Sequence, residues 1–536
     1  MSLLYLATAV VGAVVLVYFY INWKLQYWKQ RGVPYVEPEF YYGNVKGFGE
    51  KFHLCDIIQQ LYKSLKHQGP IGGTYWYTRP KLLVTDLDLI KQILVKDFQI
   101  FHNRGMYHNE VDDPLSANLN NLEDGAWRNL RTKVTPVFTS SKTKIMFELI
   151  IQKADRLVKK IDEESNTGKS IEIKNIFIRY TIDATASVAY GIESRALDDD
   201  NCKFLEISAR FFSRGSVLYH SIIQANIKLA RWLRICSVPK DVSQFYLDTI
   251  REVVKYREEN PDIIRNDFMS MMLKLKDPSQ ENPLTFNQLA ALSTEFMVAG
   301  YEGSSTILTF CLYEFALSEN IQEKVRESVK QSMEKHNGVL SYDCVADMKY
   351  LDQCVNETLR KYPTVVVVVR IAKEDYKVPN SDIVIEKGMR VQIPTHAIQH
   401  DPEIYPDPSK FDPDRFSPEE VAKRHQFAFL SFGEGPRMCI GVRFAMLQMK
   451  VALAKILLNF KVRMYIKMKS KGPVFGLYIY TQPVLMINDL DLVKQILVKD
   501  FNVFPSRGRY FNEKDDPISA HLVNIKDVHG EIFAIS

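Results

Sequence analysis

A long apolar run opens the chain. Residues Ser2 to Trp23 carry no charged side chain, and the part from Leu3 to Ile21 is almost wholly apolar. About 20 such residues span a bilayer as a helix. Basic residues follow the run and none precedes it, so the positive-inside rule predicts that the rest of the chain lies in the cytoplasm. These basic residues are Lys24, Lys29 and Arg31.

A cleaved signal peptide is the competing interpretation of the same run. Its cleavage site would be Ala7-Thr8-Ala9. That tripeptide lies inside the apolar run, and no basic segment comes before the run, so the usual order of a signal peptide is not met. We therefore predict an uncleaved membrane anchor at residues 1–23.

Beyond the anchor, apolar positions recur mostly at helical spacing. Thr285 and Gln288 form a capping-box pair after Pro283, which predicts the start of a long helix. This helix is expected to end near Leu317. A second helix ends at Tyr362, before Pro363, and a third runs from Ile440 to about Leu457. Strand-like runs cover Gly73 to Thr85 and Ile383 to Ile393. The pattern predicts a mainly α fold with small β-sheets.

One segment of the chain occurs twice. Gly69 to Asp124 reappears without gaps as Gly472 to Asp527, and the second copy begins with a hairpin-like alternation from Leu477 to Asn488. Two copies so far apart do not describe a solenoid or a propeller. We interpret residues 469–536 as a partial duplicate of 69–124, produced by a join between related neighbouring genes or by a gene-prediction artefact.

Composition excludes some classes of protein. The chain has 536 residues, 46% of them hydrophobic, and a net charge of +5, which is too small an excess for a nucleic-acid protein. It has seven cysteines at irregular spacing without a Cys-x-x-Cys pair, which fits a reducing compartment better than a disulfide framework.

The most informative polar segment is the loop from Phe432 to Gly441. It holds Cys439 among glycines, a proline and an arginine, immediately before a predicted helix. A helix N-terminus stabilises a thiolate, and cysteine thiolate is one of the few proximal ligands of haem iron. An inert buried cysteine is the alternative, but it does not account for Gly433 and Gly435, which let a loop lie flat against a planar ligand.

The loop matches Phe-x-x-Gly-x-x-x-Cys-x-Gly, and in this the chain resembles the cytochrome P-450 monooxygenases. The resemblance extends over roughly Gly32 to Met464, and the segments Glu357 to Pro363 and His400 to Pro408 resemble the insect microsomal family six. It implies a cytochrome P-450 fold behind one N-terminal transmembrane helix, with a haem-thiolate domain at residues 24–465.

The resemblance also implies a set of residues around haem b. Cys439 would be the metal ligand. The cofactor-binding residues would be Trp127, Arg131, Arg370, Phe432, Arg437 and Cys439. Arginine suits the two haem propionates because of its fork geometry, although a solvated arginine is the alternative at each position. Glu357, Arg360 and Arg415 would form one buried ion network beneath the haem.

The long predicted helix contains the family's oxygen-binding turn, with one departure. Ala299 and Gly300 match the small residues that make room for dioxygen, but Gly303 stands where the family usually has threonine. Glu302 and Ser304 remain as the catalytic candidates for proton delivery. Because a helix turns about 100° per residue, Ser304 is expected to point away from the iron unless the helix distorts.

A second departure concerns the strands that follow the haem helix in the family and close the substrate pocket. Here the chain passes from Met464 into the repeat, so we expect those strands to be missing. Substrate contacts are expected from residues in the ranges His102 to Asn121, Phe211 to Cys236, Phe296 to Ala299 and Thr364 to Val369.

The function implied is a haem-thiolate monooxygenase of the endoplasmic reticulum membrane, with its catalytic domain on the cytosolic side. It would oxidise lipophilic small molecules, including foreign compounds, with electrons from NADPH passed on by a flavoprotein reductase. Two alternatives stay open. One is a haem-thiolate isomerase or dehydratase that needs no reductase, which Gly303 permits. The other is a catalytically impaired fusion product.

Overall fold

The computed structural model of the protein describes residues 2–167, 171–211, 223, 226–263 and 265–463, together with the backbone of 474–479 and 482–487. Its first helix, α1 (Ser2–Leu25), contains a segment of mean hydropathy 2.2 from Leu4 to Leu25 that is only 6% buried. The helix is long and apolar enough to cross a membrane, as the sequence predicts for an anchor.

Helices make up most of the described chain. They are α2 (Tyr27–Gln30), α3 (Leu54–Leu65), α4 (Leu87–Lys91), α5 (Asp124–Val134), α6 (Ser140–Ser165), α7 (Ile173–Ala189), α8 (Lys203–Phe211), α9 (Ile227–Trp232), α10 (Lys240–Glu259), α11 (Phe268–Lys276), α12 (Phe286–Leu317), α13 (Glu319–Lys335), α14 (Tyr342–Asp347), α15 (Lys349–Lys361), α16 (Thr395–Gln399), α17 (Pro418–Lys423) and α18 (Val442–Asn459). This confirms the predicted mainly α class.

The strands form small sheets. They are β1 (Ile71–Trp76), β2 (Arg79–Val84), β3 (Val368–Ile371), β4 (Tyr376–Lys377), β5 (Val384–Ile385), β6 (Arg390–Ile393), β7 (Val474–Ile479) and β8 (Gln482–Ile487). Four of them make a sheet in the order β1-β2-β6-β3, in which only β2 and β6 run parallel. Each of the two strand-like runs expected from the sequence is thus divided between two strands.

Helix α12 begins where the sequence predicts. Thr285 Oγ1 accepts the backbone N–H of Gln288, and the Gln288 side chain accepts the N–H of Thr285, both at 3.2 Å. Helix α15 likewise stops before Tyr362, as Pro363 requires. Capping satisfies amide groups that have no partner within the helix, so these local signals set the ends of the two helices.

Two hydrophobic clusters organise the first compact unit, Met1–Val462. One joins the helices α5, α6, α7, α12 and α18, and includes Trp127, Phe296 and Phe444. The other joins the four-stranded sheet to α3 and includes Leu82, Val391 and Leu430. Phe296 and Phe444 of the first cluster and Leu430 of the second line one shared cavity.

The second unit, Arg463–Ser536, contains the hairpin β7–β8. Its register pairs Val474 with Ile487 and Ile479 with Gln482. The hairpin β1–β2 pairs Ile71 with Val84 and Trp76 with Arg79, which are the equivalent positions of the first copy. The hairpin predicted at Leu477 to Asn488 is therefore present, and its strands extend from Val474 to Ile487. The rest of the predicted duplicate lies outside the described residues, and its origin stays a prediction.

Candidate functional site

A cavity of about 600 Å³ lies where the two cores meet. It is bounded by α12, α5, the start of α18, the loop before α18 and the segment that leads into β3. Most lining side chains are apolar or aromatic, among them Phe138, Phe268, Leu292, Phe296, Ile307, Val367, Ile440 and Phe444. Its size and apolar wall are typical of a small-molecule or cofactor site.

The loop that carries Cys439 is held in a shape that only glycine allows at two positions. Gly433 and Gly435 have φ angles of 70° and 75°, in the left-handed region. A Cβ on Gly435 would also stand 2.0 Å from the carbonyl oxygen of Leu94. The loop closes on itself, since the Cys439 N–H donates to the Phe432 carbonyl at 2.8 Å. Phe432 and Cys439 both line the cavity.

Cys439 is exposed and lines this cavity. Desolvation by the surrounding protein raises the pKa of the thiol, whereas the backbone N–H of Gly441 and the charge of Arg131 lower it. Helix α18 begins three residues later, at Val442, with Gly441 as its N-cap. The geometry presents a sulfur atom to a ligand in the cavity at the predicted junction of loop and helix.

Four arginines face the same cavity: Arg104, Arg131, Arg370 and Arg437. Arg370 and Arg437 are buried, and no group in the described part of the chain accepts a hydrogen bond from the Nε of either. Burial, reinforced by Arg104, lowers the pKa of Arg437 to about 9 and lowers that of Arg370 well below its ordinary value.

These buried cations call for an anion, because an unpaired buried charge is costly. Haem carries two carboxylates, and the Nε–H groups of Arg370 and Arg437 that have no acceptor fit such a ligand. Trp127, which is buried, contributes its ring 4.1 Å from the Arg437 guanidinium carbon. Arg131 donates to the Met438 carbonyl at 3.1 Å. The sequence-predicted set from Trp127 to Cys439 therefore meets at one cavity.

Helix α12 turns one face to the cavity. The lining residues of this helix are Leu292, Glu295, Phe296, Ala299, Gly300, Gly303, Ser304 and Ile307, which recur every three or four positions. Ser304 also lines the cavity, because the cavity covers a stripe broader than a single helical position. Its orientation relative to the iron stays a prediction. Glu302 lies on another side of the helix, half-exposed and 3.9 Å from Lys174.

The two glycines of this turn have different neighbours. A Cβ on Gly300 would stand 2.9 Å from Thr185 Cγ2 on α7, so close packing of two helices requires the glycine there. No heavy atom of the described chain lies within 4 Å of a Cβ placed on Gly303, which lines the cavity. Space for a side chain therefore exists at Gly303 and is absent at Gly300.

The predicted ion network is present behind the cysteine loop. Arg360 donates from Nε and Nη2 to the two carboxylate oxygens of Glu357 at 2.8 and 2.9 Å. The Nε of Arg415 lies 3.6 Å from the same carboxylate, and the backbone N–H of Asp412 donates to it at 3.0 Å. The pair Glu357 and Arg360 is fully buried, so its charges are satisfied by each other and by backbone groups.

Three of the four expected substrate-contact ranges contribute to the cavity. They do so through Arg104, Met106, Leu119, Asn120, Phe296, Ala299, Thr364, Val365, Val367, Val368 and Val369. None of the described residues in the fourth range, Phe211 to Cys236, lines the cavity. Residues 212–222, 224 and 225 of this range lie outside the described residues. Sequence reasoning missed Glu295 as a site residue, although its spacing from Leu292 and Ala299 places it on the same helical face.

Comparison with known proteins agrees with this geometry. The family model for cytochrome P450 matches residues 34–469. Probable cytochrome P450 6a14 of Drosophila melanogaster is 43% identical over 472 residues, which cover 84% of this chain and 92% of the relative. Cytochrome P450 6A1 of Musca domestica is 40% identical over 453 residues, covering 83% of this chain and 89% of the relative. The chain therefore belongs to the cytochrome P450 family of haem monooxygenases and is similar to the members of insect family six.

Proposed function

We propose that Cys439 ligates the haem iron of this monooxygenase. We also propose that the enzyme oxidises lipophilic foreign compounds bound in the cavity that Cys439 lines. The observation that carries the proposal is the position of Cys439, in a loop shaped by glycines and facing a cavity lined by the buried Arg370 and Arg437, whose Nε atoms have no acceptor in the described part of the chain. Bound haem would supply the oxygen chemistry, with a thiolate ligand favouring cleavage of the O–O bond. The protein's own contribution is to orient cofactor and substrate and to exclude water.

Arg131, Arg370 and Arg437 would hold the carboxylates of the haem, with Trp127 packed against Arg437. The guanidinium of Arg437 keeps its position through donation to the Leu122 carbonyl at 2.7 Å. Arg370 donates from Nη1 to the Val369 carbonyl at 2.9 Å, which leaves its other nitrogens for a ligand. Phe432 would pack against the same cofactor, since it lines the cavity beside Cys439.

A lipophilic substrate is supported by the apolar wall of the cavity. Phe138, Phe268 and Phe296 pack edge-on or tilted against one another, with centroid separations of 4.7 to 5.6 Å. Aromatic and branched side chains bind apolar ligands with little directional preference, which suits varied foreign compounds. The similarity to insect family six supports the same substrate class.

Ser304 and Glu302 are the proposed groups for proton delivery. The Ser304 hydroxyl is on the cavity face of α12, where it can hold a proton next to the substrate. Glu302, half-exposed and close to Lys174, can exchange protons with solvent on the other side of the helix. Electrons would come from NADPH through a flavoprotein reductase at the cytosolic face of the endoplasmic reticulum.

Reduction of the full-length protein under carbon monoxide tests the ligand assignment. We expect the strongly red-shifted Soret band of thiolate-ligated haem, and its loss in Cys439→Ala. Cys55→Ala is the matched control, because Cys55 lies on α3 and is only partly buried. Retention of the band in Cys439→Ala would refute the assignment, as would its absence from the wild-type protein.

Gly303 favours a second candidate, a haem-thiolate isomerase or dehydratase that uses no reductase. Gly303 has no hydroxyl group, although it lines the cavity and has space for a side chain. Turnover of a peroxide-containing lipid without NADPH would support this candidate. Turnover that depends strictly on NADPH and reductase would support the monooxygenase.

A further inference from the structure

Glu295 is partly buried on the cavity face of α12, and its carboxylate binds the backbone of a neighbouring loop. One carboxylate oxygen accepts the N–H of Leu119 at 2.8 Å, and the other accepts the N–H of Asn120 at 2.9 Å. Leu119 and Asn120 both line the cavity. The N–H of Asn120 also donates to the side-chain oxygen of Asn118 at 3.2 Å, whereas the N–H of Leu119 donates to Glu295.

The opposite side of the same loop is held by Arg437. Its guanidinium donates to the carbonyls of Leu119 at 3.3 Å, Asn120 at 3.4 Å and Leu122 at 2.7 Å. The peptide unit that joins Leu119 to Asn120 thus lies between the two charges, because its N–H binds the Glu295 carboxylate and its C=O binds the Arg437 guanidinium. Hydrogen bonds to charged groups are about twice as strong as neutral ones, and consecutive bonds in such a chain polarise one another.

The surroundings of Glu295 favour this role over direct capture of a cationic substrate. Both of its oxygens already accept backbone N–H groups. The charges of Arg104 and Arg437 face the carboxylate from the loop side, and Arg131 faces it from α5. A cation placed there would compete with these arginines for a carboxylate that is already bonded.

We propose that Glu295 is a positioning residue that fixes the loop of residues 118–122 as the cavity wall and couples α12 to Arg437. The proposal rests on the proposed function only in taking this cavity as the place where substrate binds. Without the carboxylate, the N–H of Leu119 loses its acceptor and the loop loses its hydrogen bonds to α12. Large ligands, which need the wall in place, would then bind less well than small ones.

Hydrogen exchange of the full-length, haem-loaded protein in lipid nanodiscs tests the loop directly. In Glu295→Leu, which has no acceptor, the amides of Leu119 and Asn120 should both exchange about tenfold faster, as expected for loss of a hydrogen bond to a charged group. Glu295→Gln keeps one acceptor oxygen and should accelerate the exchange of at least one of the two amides. Glu334→Gln on α13, an exposed carboxylate far along the chain from the loop, is the matched control and should leave exchange unchanged. Unchanged exchange at both amides in both Glu295 variants would overturn the proposal.

Ligand binding separates positioning from a general loss of structure. Imidazole and clotrimazole serve as a small and a large haem-binding probe, each followed by its spectral shift. Glu295→Gln should weaken clotrimazole binding about tenfold, the effect of about 1.4 kcal/mol, and leave imidazole binding within about twofold. Equal weakening of both probes, or of neither, would overturn the proposal. If the wild-type protein lacked the thiolate-type carbon monoxide band, the proposed function would fail while the exchange experiment would still decide the role of Glu295.

Discussion

The side chains of Glu357 and Arg360, one helical turn apart on α15, are joined by two parallel hydrogen bonds at 2.8 and 2.9 Å, and neither side chain is exposed. The remaining guanidinium hydrogens of Arg360 reach the carbonyls of Gln399 and Pro408, each at 2.9 Å. One local pair on α15 therefore binds two other segments of the chain, at Gln399 and at Pro408.

We expect Glu357→Gln to destabilise the protein by about 3–5 kcal/mol, because it leaves the buried Arg360 charge without its counter-ion. Loss of the thiolate-haem band on heating measures the effect, as a lower half-loss temperature. Glu403→Gln is the control. Its carboxylate pairs with Lys66 at 2.9 Å but is 63% exposed, and exposed pairs contribute about 0–1 kcal/mol. Equal effects of the two variants would contradict this account.

Gly303→Thr should increase the yield of product per NADPH consumed. The position faces open cavity, so a side chain fits there, and a hydroxyl can help to deliver protons to bound oxygen. Gly303→Val has the same shape without the hydroxyl and should not raise the yield. Peroxide and product are measured together in a reductase-coupled assay. Equal yields from the Thr and Val variants would mean that Ser304 or water already supplies the proton.

Gly435→Ala should abolish haem binding by the folded protein. The residue has a φ of 75°, and an added Cβ would stand 2.0 Å from the Leu94 carbonyl oxygen, which cannot move away without displacing the chain. Gly125→Ala on α5 is the control, since a Cβ there would meet no heavy atom of the described chain within 4 Å. Haem content per polypeptide is the measurement, and a Gly435→Ala protein with full haem content would refute the steric argument.

His400 should make stability fall as the pH drops from 7 to 5. Burial, together with the charges of His396 and Arg360, lowers its pKa to about 4, whereas an unfolded histidine has a pKa of about 6.5. Between these two pKa values the His400 side chain is protonated in the unfolded chain and neutral in the folded protein. The free energy of unfolding therefore increases with pH and reaches its full value above about pH 6.5. The expected loss between pH 7 and 5 is about 2 kcal/mol.

His400→Gln should flatten that part of the pH profile, measured by thermal or urea unfolding. His67→Gln is the control, because the His67 side chain is 72% exposed. An identical profile in wild type and His400→Gln would show that other groups cause the acid destabilisation.

Helix α1 should hold the protein in membranes during alkaline carbonate extraction, and protease added to the cytosolic side should digest the catalytic unit. The segment Leu4–Leu25 has a mean hydropathy of 2.2. Replacement of Val11 and Val15 by lysine places charges near its centre, at about 2.5–3.5 kcal/mol each on the insertion scale, and should weaken retention. Full release of the wild-type protein, or protection of the catalytic unit from protease, would contradict the anchor or its orientation.

Sequence alone was sufficient for the features whose cause is local. The glycines around Cys439 predict a special loop because positive φ angles are a property of the residue itself, and Thr285 with Gln288 predicts the start of α12 for the same kind of reason. The spacing of Glu357 and Arg360 placed them on one face of a helix. The repeat predicted a hairpin at β7–β8, whose register the structure shows to match β1–β2.

Only the tertiary structure decided which distant groups meet at those elements. Periodicity assigns Glu295 to a face of α12, but its partners Leu119 and Asn120 lie about 175 residues away, and no local rule brings them there. The same holds for Thr185, which makes Gly300 a packing requirement, and for Ser304, whose exposure to the cavity depends on how broad a stripe of α12 is left uncovered. Long-range packing sets these relations, because the free energy of each contact depends on surfaces supplied by other parts of the chain.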